Sequence, residues 1–274
     1  MHYFLAFVFL LWGAPQASQR VDQNSAVAIV ARIQRADYQG DRAALQHLYD
    51  DLAPFAGDKT IESRIHYWRG FALWRRALNG FNESADRTDL ERDLTLALAE
   101  LEKAANGPDR ADALSAEASC LQNLAFIHFV QKHVGPAREF LEKSLPLLKA
   151  AETAEPENPR VLWVLGASRW YAPPERGGGQ GAAIRTYENG LRFAQQHKSS
   201  GDDPLKPSWG EPELLMNLAY SYLHQTPPEL NAAEESAEQA LKLVPYWHYL
   251  KDILLPQIQE AKAKATVKNP NAVR

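Results

Sequence analysis

The stretch Leu214–Pro245, LLMNLAYSYLHQTPPELNAAEESAEQALKLVP, decides how this chain is read. Both halves carry Ala, Leu, Glu and Gln at helical spacing, and QTPP at 225–228 divides them. Proline lacks the N–H that would extend the first helix, so the division is a turn. On the first half a small residue, Ala219, follows Leu218; on the second, Ala233, Ala237 and Ala240 recur in steps of four and three, with Pro245 beyond them. Small side chains at such points let two helix axes cross closely. The stretch is read as an antiparallel helical hairpin with an alanine seam.

Working outward, the same pattern returns. Second helices carry Ala97, Leu101 and Ala104, then Ala137, Leu141 and Ser144, then Ala183, Tyr187 and Gly190. First helices carry Arg69-Gly70, Leu124-Ala125 and Leu165-Gly166. Turn signals punctuate the chain: AGDKT near 58, NGPD at 106–109, VGP at 134–136, ENP at 157–159 and WGEP at 209–212. Asn158 before Pro159 reads as a cap followed by proline at the first helical position. The spacing predicts eleven helices: 22–38, 41–54, 60–80, 87–105, 110–133, 136–154, 159–172, 180–197, 211–224, 229–243 and 246–264. Alternating β-branched runs of the kind that make strands are nearly absent.

Four phased hairpins between residues 60 and 245, with small residues on the first helix, a small–large–small series on the second and a closing proline, resemble the tetratricopeptide repeat. Insertions of two residues before Ala233, five before Ala183 and about fifteen between Gly70 and Ala97 depart from that repeat. The resemblance implies an all-α, right-handed α-solenoid of helix hairpins. It occupies 20–265 as a single domain, with 22–54 as a degenerate fifth hairpin, 246–264 as a capping helix and 266–274 as a disordered basic tail.

The 274 residues carry a net charge of −4 with both signs dispersed, which argues against a nucleic-acid footprint. Cys120 is the sole cysteine, excluding an intrachain disulfide and a thiolate zinc site. MHYFLAFVFLLWGAPQASQ opens with an apolar run from Tyr3 to Trp12, too short to span a bilayer and matching the core of a secretory leader. Residues 1–18 are therefore expected to be a signal peptide and the domain extracytoplasmic, periplasmic or secreted, with no stable membrane anchor after cleavage. The alternative is a buried or uncleaved N-terminal helix.

YAPPERGGGQGAAIRTYENGL, Tyr171 to Leu191, asks whether Gly177, Gly178 and Gly179 cradle a phosphate. A cradle needs converging backbone N–H groups and usually Lys with Ser or Thr, whereas Gln180-Gly181-Ala182 follows here. The glycines are read as a structural turn, with Pro173 and Pro174 stopping the preceding helix. A similar turn belongs to exported bacterial tetratricopeptide proteins and to the helical T component associated with some TRAP transporters.

Chemistry is sparsely signalled. His-Glu-x-x-His and Gly-x-Ser-x-Gly are absent, and His128 and His133 lie about 140° apart on a common helix. No metal and no cofactor are expected, and Cys120 reads as a buried inert thiol. The aromatic residues say more. Register on the resemblance places one stripe of each first helix on the inner concave wall: Tyr67, Phe71, Trp74 and Arg75; Gln122, Phe126, Phe129 and Val130; Trp163, Ala167, Trp170 and Tyr171; Met216, Tyr220, Leu223 and His224. Such stripes are either core or an apolar groove for a guest. The carboxylate-clamp form of the fold needs inward Lys, Arg and Asn. Asn123 and Arg160 match two places, but Tyr67 and Phe71 occupy those of the first hairpin.

The expectation is a non-enzymatic, exported scaffold that binds a partner protein or peptide in that groove. The alternatives are periplasmic binding of a hydrophobic solute as a transporter-associated component, and a helical-barrel carbohydrate-active enzyme using Glu175, Asp202 or Glu211.

Overall fold

The computed structural model describes residues 23–197 and 203–268. The leader expected at 1–18 lies outside them. Every regular element among the described residues is helical: α1 (Gln23–Gln39), α2 (Arg42–Asp51), α3 (Glu62–Asn82), α4 (Arg87–Ala104), α5 (Arg110–Val130), α6 (Val134–Ala154), α7 (Pro159–Tyr171), α8 (Gln180–Gln196), α9 (Glu211–His224), α10 (Leu230–Leu243) and α11 (Leu255–Lys268). A π-helical turn, Tyr249–Leu254, leads into α11. The C-terminal helix thus runs four residues beyond the expected 264, so 266–268 are helical and the remainder of the expected tail lies outside the description.

Helix starts follow local chemistry. Asp41 accepts from Ala44 N at 2.9 Å, Asp86 from Thr88 N at 2.8 Å and Asn158 from Arg160 N at 2.9 Å, satisfying first-turn donors that have no intrahelical partner.

Consecutive helices pair as α3 with α4, α5 with α6, α7 with α8 and α9 with α10. The small residues sit in those seams. A Cβ on Gly70 would meet the Leu101 side chain at 2.7 Å, and one on Gly166 would meet the Tyr187 ring at 2.2 Å. Ala97, Ala183, Ala233, Ala237 and Ala240 are all fully buried. Between pairs, α4 packs broadly on α5 and α8 on α9, but α6 meets α7 only narrowly. Leu141, the large member of its small–large–small series, is consequently 46 % exposed, whereas Leu101 and Tyr187 are buried.

α1 meets the C-terminal part of the described chain. The Tyr38 ring of α1 lies edge-on to Trp247 at 4.9 Å and its hydroxyl donates to Glu213 Oε1 at 2.7 Å. Gln34 Nε2 donates to Ser208 Oγ at 3.0 Å. One apolar cluster runs from α1 to α9; a second gathers α9, α10 and the C-terminal helix around Trp247, Leu250 and Leu254.

Candidate functional site

The aromatic stripes divide into a filled half and an open half. On α3, Tyr67, Phe71 and Trp74 are fully buried, and on α7 Trp163 is nearly so. The α8–α9 connection covers them. Trp209 places its ring 5.7 Å from Phe71, 5.8 Å from Trp74 and 5.6 Å from Trp163, and its Nε1 donates to the Tyr67 hydroxyl at 2.8 Å. Four residues earlier, Leu205 accepts from Trp68 Nε1 at 2.8 Å. Burial, with Asp112 nearby, pushes the Tyr67 phenol far above its ordinary range, so it stays a neutral hydroxyl. The expectation that Tyr67, Phe71, Trp74 and Trp163 form an open wall is therefore corrected: the chain's own Trp209 occupies the space a guest would need.

A buried charge cluster braces this plug. Arg75 donates from Nε to Asp37 Oδ2 at 2.8 Å, and Asn79 Nδ2 donates to Asp37 Oδ1 at 3.0 Å. Burial raises the Glu213 carboxyl above its usual range, only partly opposed by Arg75. Glu213 Oε2 also accepts from Gly210 N at 2.8 Å, fixing the end of the plug to the start of α9.

The open half lies on the C-terminal parts of α5, α7 and α9. Phe126 is 55 %, Phe129 66 % and Tyr171 81 % exposed. Trp170 and Tyr220 are half-buried, with ring centroids 6.3 Å apart, and Tyr220 stacks on His224 at 4.0 Å. Of the ten exposed large hydrophobic residues described, six belong to the turn end of the α5–α6 hairpin and the adjoining flank of α6: Phe126, Phe129, Val130, Val134, Leu141 and Leu145. A cleft of about 320 Å³ adjoins them, lined by Phe81, Ala85, Leu90, Phe126, Ile127 and Val130. The Phe81 and Phe126 rings meet edge-on at 6.0 Å. The exposed α6 flank lies where the narrow α6–α7 contact leaves it without the neighbour that α4 and α8 have.

Gly177, Gly178 and Gly179 form a turn whose amides are already engaged. Gly177 N donates to Pro174 O at 2.9 Å, Gly178 N to Pro173 O at 3.2 Å and Gly179 N to Arg169 O at 2.9 Å. Gly177 and Gly179 have φ of +75° and +94°, which favours glycine, and a Cβ on Gly178 would come within 2.2 Å of Ala172 O. The three glycine amides are thus spent inside the turn rather than offered to a phosphate.

Arg160 and Asn123 are held by internal contacts. Asp112 receives the Arg160 guanidinium, whose Nη1 also donates to Trp209 O at 3.3 Å, while Asn123 donates to Ser119 O at 2.8 Å. Both clamp-like residues thus have partners within the chain. Glu175 is exposed in a short 3₁₀ turn, Glu211 begins α9, and Asp202 lies outside the described residues. His128 and His133 are closer than their separation on one helix implies, with rings 5.8 Å apart, because α5 ends at Val130 and the chain turns back. Among the described residues no three His, Cys, Asp or Glu side chains gather as a metal site. Burial pushes the Cys120 thiol well above its usual range, leaving little thiolate. No described helix is long and apolar enough to cross a membrane. In comparison with known proteins, no family model matches the chain, no curated protein matches it and no solved structure matches it.

Proposed function

We propose that the chain is a non-enzymatic scaffold of tetratricopeptide-like hairpins, wound as a right-handed solenoid, that works outside the cytoplasm after loss of an N-terminal leader. The partner is a protein segment presenting apolar or aromatic side chains. It docks on the open end of the inner wall at Phe126 and Phe129, with Tyr171, Trp170 and Tyr220 as the continuation of that surface. The observation that carries this reading is the concentration of exposed large hydrophobics on one hairpin end and on the α6 flank. Packing a guest there removes apolar surface from water at about 25 cal/mol per Å², before ordering costs are subtracted.

The solute-binding alternative requires a lumen, and the interior it would use is filled by Trp209, Leu205 and the α3 aromatics. That favours a surface groove over an enclosed ligand.

The test is peptide selection from a random library on the immobilised chain. Enriched peptides are expected to carry aromatic or leucine anchors, and their affinity should fall at least about tenfold, roughly 1.4 kcal/mol, in Phe126→Ala/Phe129→Ala. Far-ultraviolet circular dichroism should be unchanged, since both rings are largely solvated. Equal affinity for the double variant would remove this surface from consideration.

A further inference from the structure

Where α3 begins, beside the turn that follows α4, the chain forms a polar cavity of about 400 Å³ that the scaffold reading leaves without a role. Lys59, Glu62, Ser63, His66, Lys103, Asn106 and Gly107 line it. His66 is only 7 % exposed, yet it reaches this space. Its Nδ1 stands 2.5 Å from Glu100 Oε2, while Glu100 Oε1 accepts from Arg69 Nε at 3.1 Å, Arg69 Nη2 at 3.0 Å and the Tyr49 hydroxyl at 3.2 Å. Burial works against the Glu100 charge, but the hydrogen bonds from Arg69 and His66 outweigh it and hold this carboxyl below its usual range.

An ionised Glu100 keeps the Nδ1 proton of His66 in place and fixes the ring, as a carboxylate does for a ligand-binding histidine. Nε2 has no hydrogen-bond partner among the described residues. Lys103 forms no ion pair among them, and Lys59 reaches only Glu62, at 2.8 Å. Ile61 supplies no side-chain cap to α3, a helix of 21 residues, so the first-turn amides add positive potential on the same side.

We propose that this cavity binds the phosphate group of a small phosphorylated molecule. Ammonium groups arrive from two separate elements, Lys59 paired with Glu62 and Lys103 without an ion pair among the described residues, and a hydroxyl and an imidazole come from a third. The guanidinium of Arg69 is already engaged by Glu100 and that of Arg64 by Asp109, so neither offers the bidentate fork that selects carboxylates. In the occupied cavity His66 Nε2 shares a hydrogen bond with a phosphate oxygen, its ring held in place by Glu100. The volume leaves room for an organic body beside the phosphate.

The full chain labelled with ¹⁵N-histidine is titrated with inorganic phosphate, and in parallel with acetate, at low salt. The His66 Nε2 resonance is expected to shift saturably with phosphate and not with acetate. Lys103→Met should raise the phosphate Kd at least about tenfold, and the remote control Lys264→Met should leave it unchanged. Lys103 is exposed and unpaired, so its loss does not threaten the fold. No saturable shift by about 10 mM phosphate, where a millimolar site would be filled, overturns the proposal. So does an equal shift with acetate, or an equal loss in the two lysine variants.

Discussion

Trp209→Ala is the sharpest probe of how the inner wall is filled. The indole is 5 % exposed, touches three other aromatic rings and donates one hydrogen bond to Tyr67. Truncating a buried tryptophan costs about 3–5 kcal/mol, and the Tyr67 hydroxyl loses its donor in a buried setting at about 1 kcal/mol. The two overlap, because the cost of truncating a buried tryptophan already includes the partner it leaves unpaired; about 4 kcal/mol is the expected loss. A domain of ordinary stability survives that at 25 °C, so helicity should persist. What should change is local: near-ultraviolet dichroism collapses and tryptophan emission shifts to the red as Trp74 and Trp163 meet solvent. Urea unfolding followed by far-ultraviolet dichroism measures the energy. A loss under about 1 kcal/mol with an unaltered near-ultraviolet spectrum would refute the plug.

Gly166→Ala places a methyl 2.2 Å from the Tyr187 ring, and the overpacking should cost about 1–3 kcal/mol in the same urea assay. Arg75→Met leaves Asp37 and Glu213 buried without their guanidinium, for an expected loss of about 3–5 kcal/mol; adding Asp37→Asn should restore part of it, read as non-additivity in thermal unfolding. Glu117 is buried, one carboxyl oxygen lacks a partner, and desolvation with help from Glu102 raises its pKa from 4.5 to about 7. The folded state then binds this proton more tightly than the unfolded chain, so stability falls as pH rises from about 4.5 to about 7, by at most roughly 3 kcal/mol, and stays low above. Glu117→Gln should abolish that slope and stabilise the protein at pH 8, which urea midpoints across pH will show.

Helix boundaries and hairpin seams were legible because both are local. Asn158-Pro159 marks a start by its own chemistry, and the four-and-three spacing of Ala233, Ala237 and Ala240 fixes a face whatever lies opposite. The stripe that holds Tyr67, Phe71 and Trp74 was legible as a face but not as a surface, because exposure depends on Trp209, more than a hundred residues away. One signal pointed there: a lone tryptophan among proline and glycine in KPSWGEP has no local reason to sit in a polar turn. The His66 cavity was hidden for a related cause, since Lys103 in its wall and Glu100 behind His66 come from α4 across an insertion that blurs the repeat. Leu141 misleads in the opposite direction. Its position matches that of buried Leu101, and only the narrow contact between α6 and α7 leaves it in water.

An open stack of hairpins loses its terminal units first, each fraying with little regard for the rest. Here the first helix is clasped to the last pair through Tyr38, Trp247 and Glu213. A clasp of this kind turns a row into a loop of mutual dependence. Removing α1 would uncover Trp247 and leave Glu213 without the Tyr38 hydroxyl, so the C-terminal pair should lose stability along with the helix that was removed.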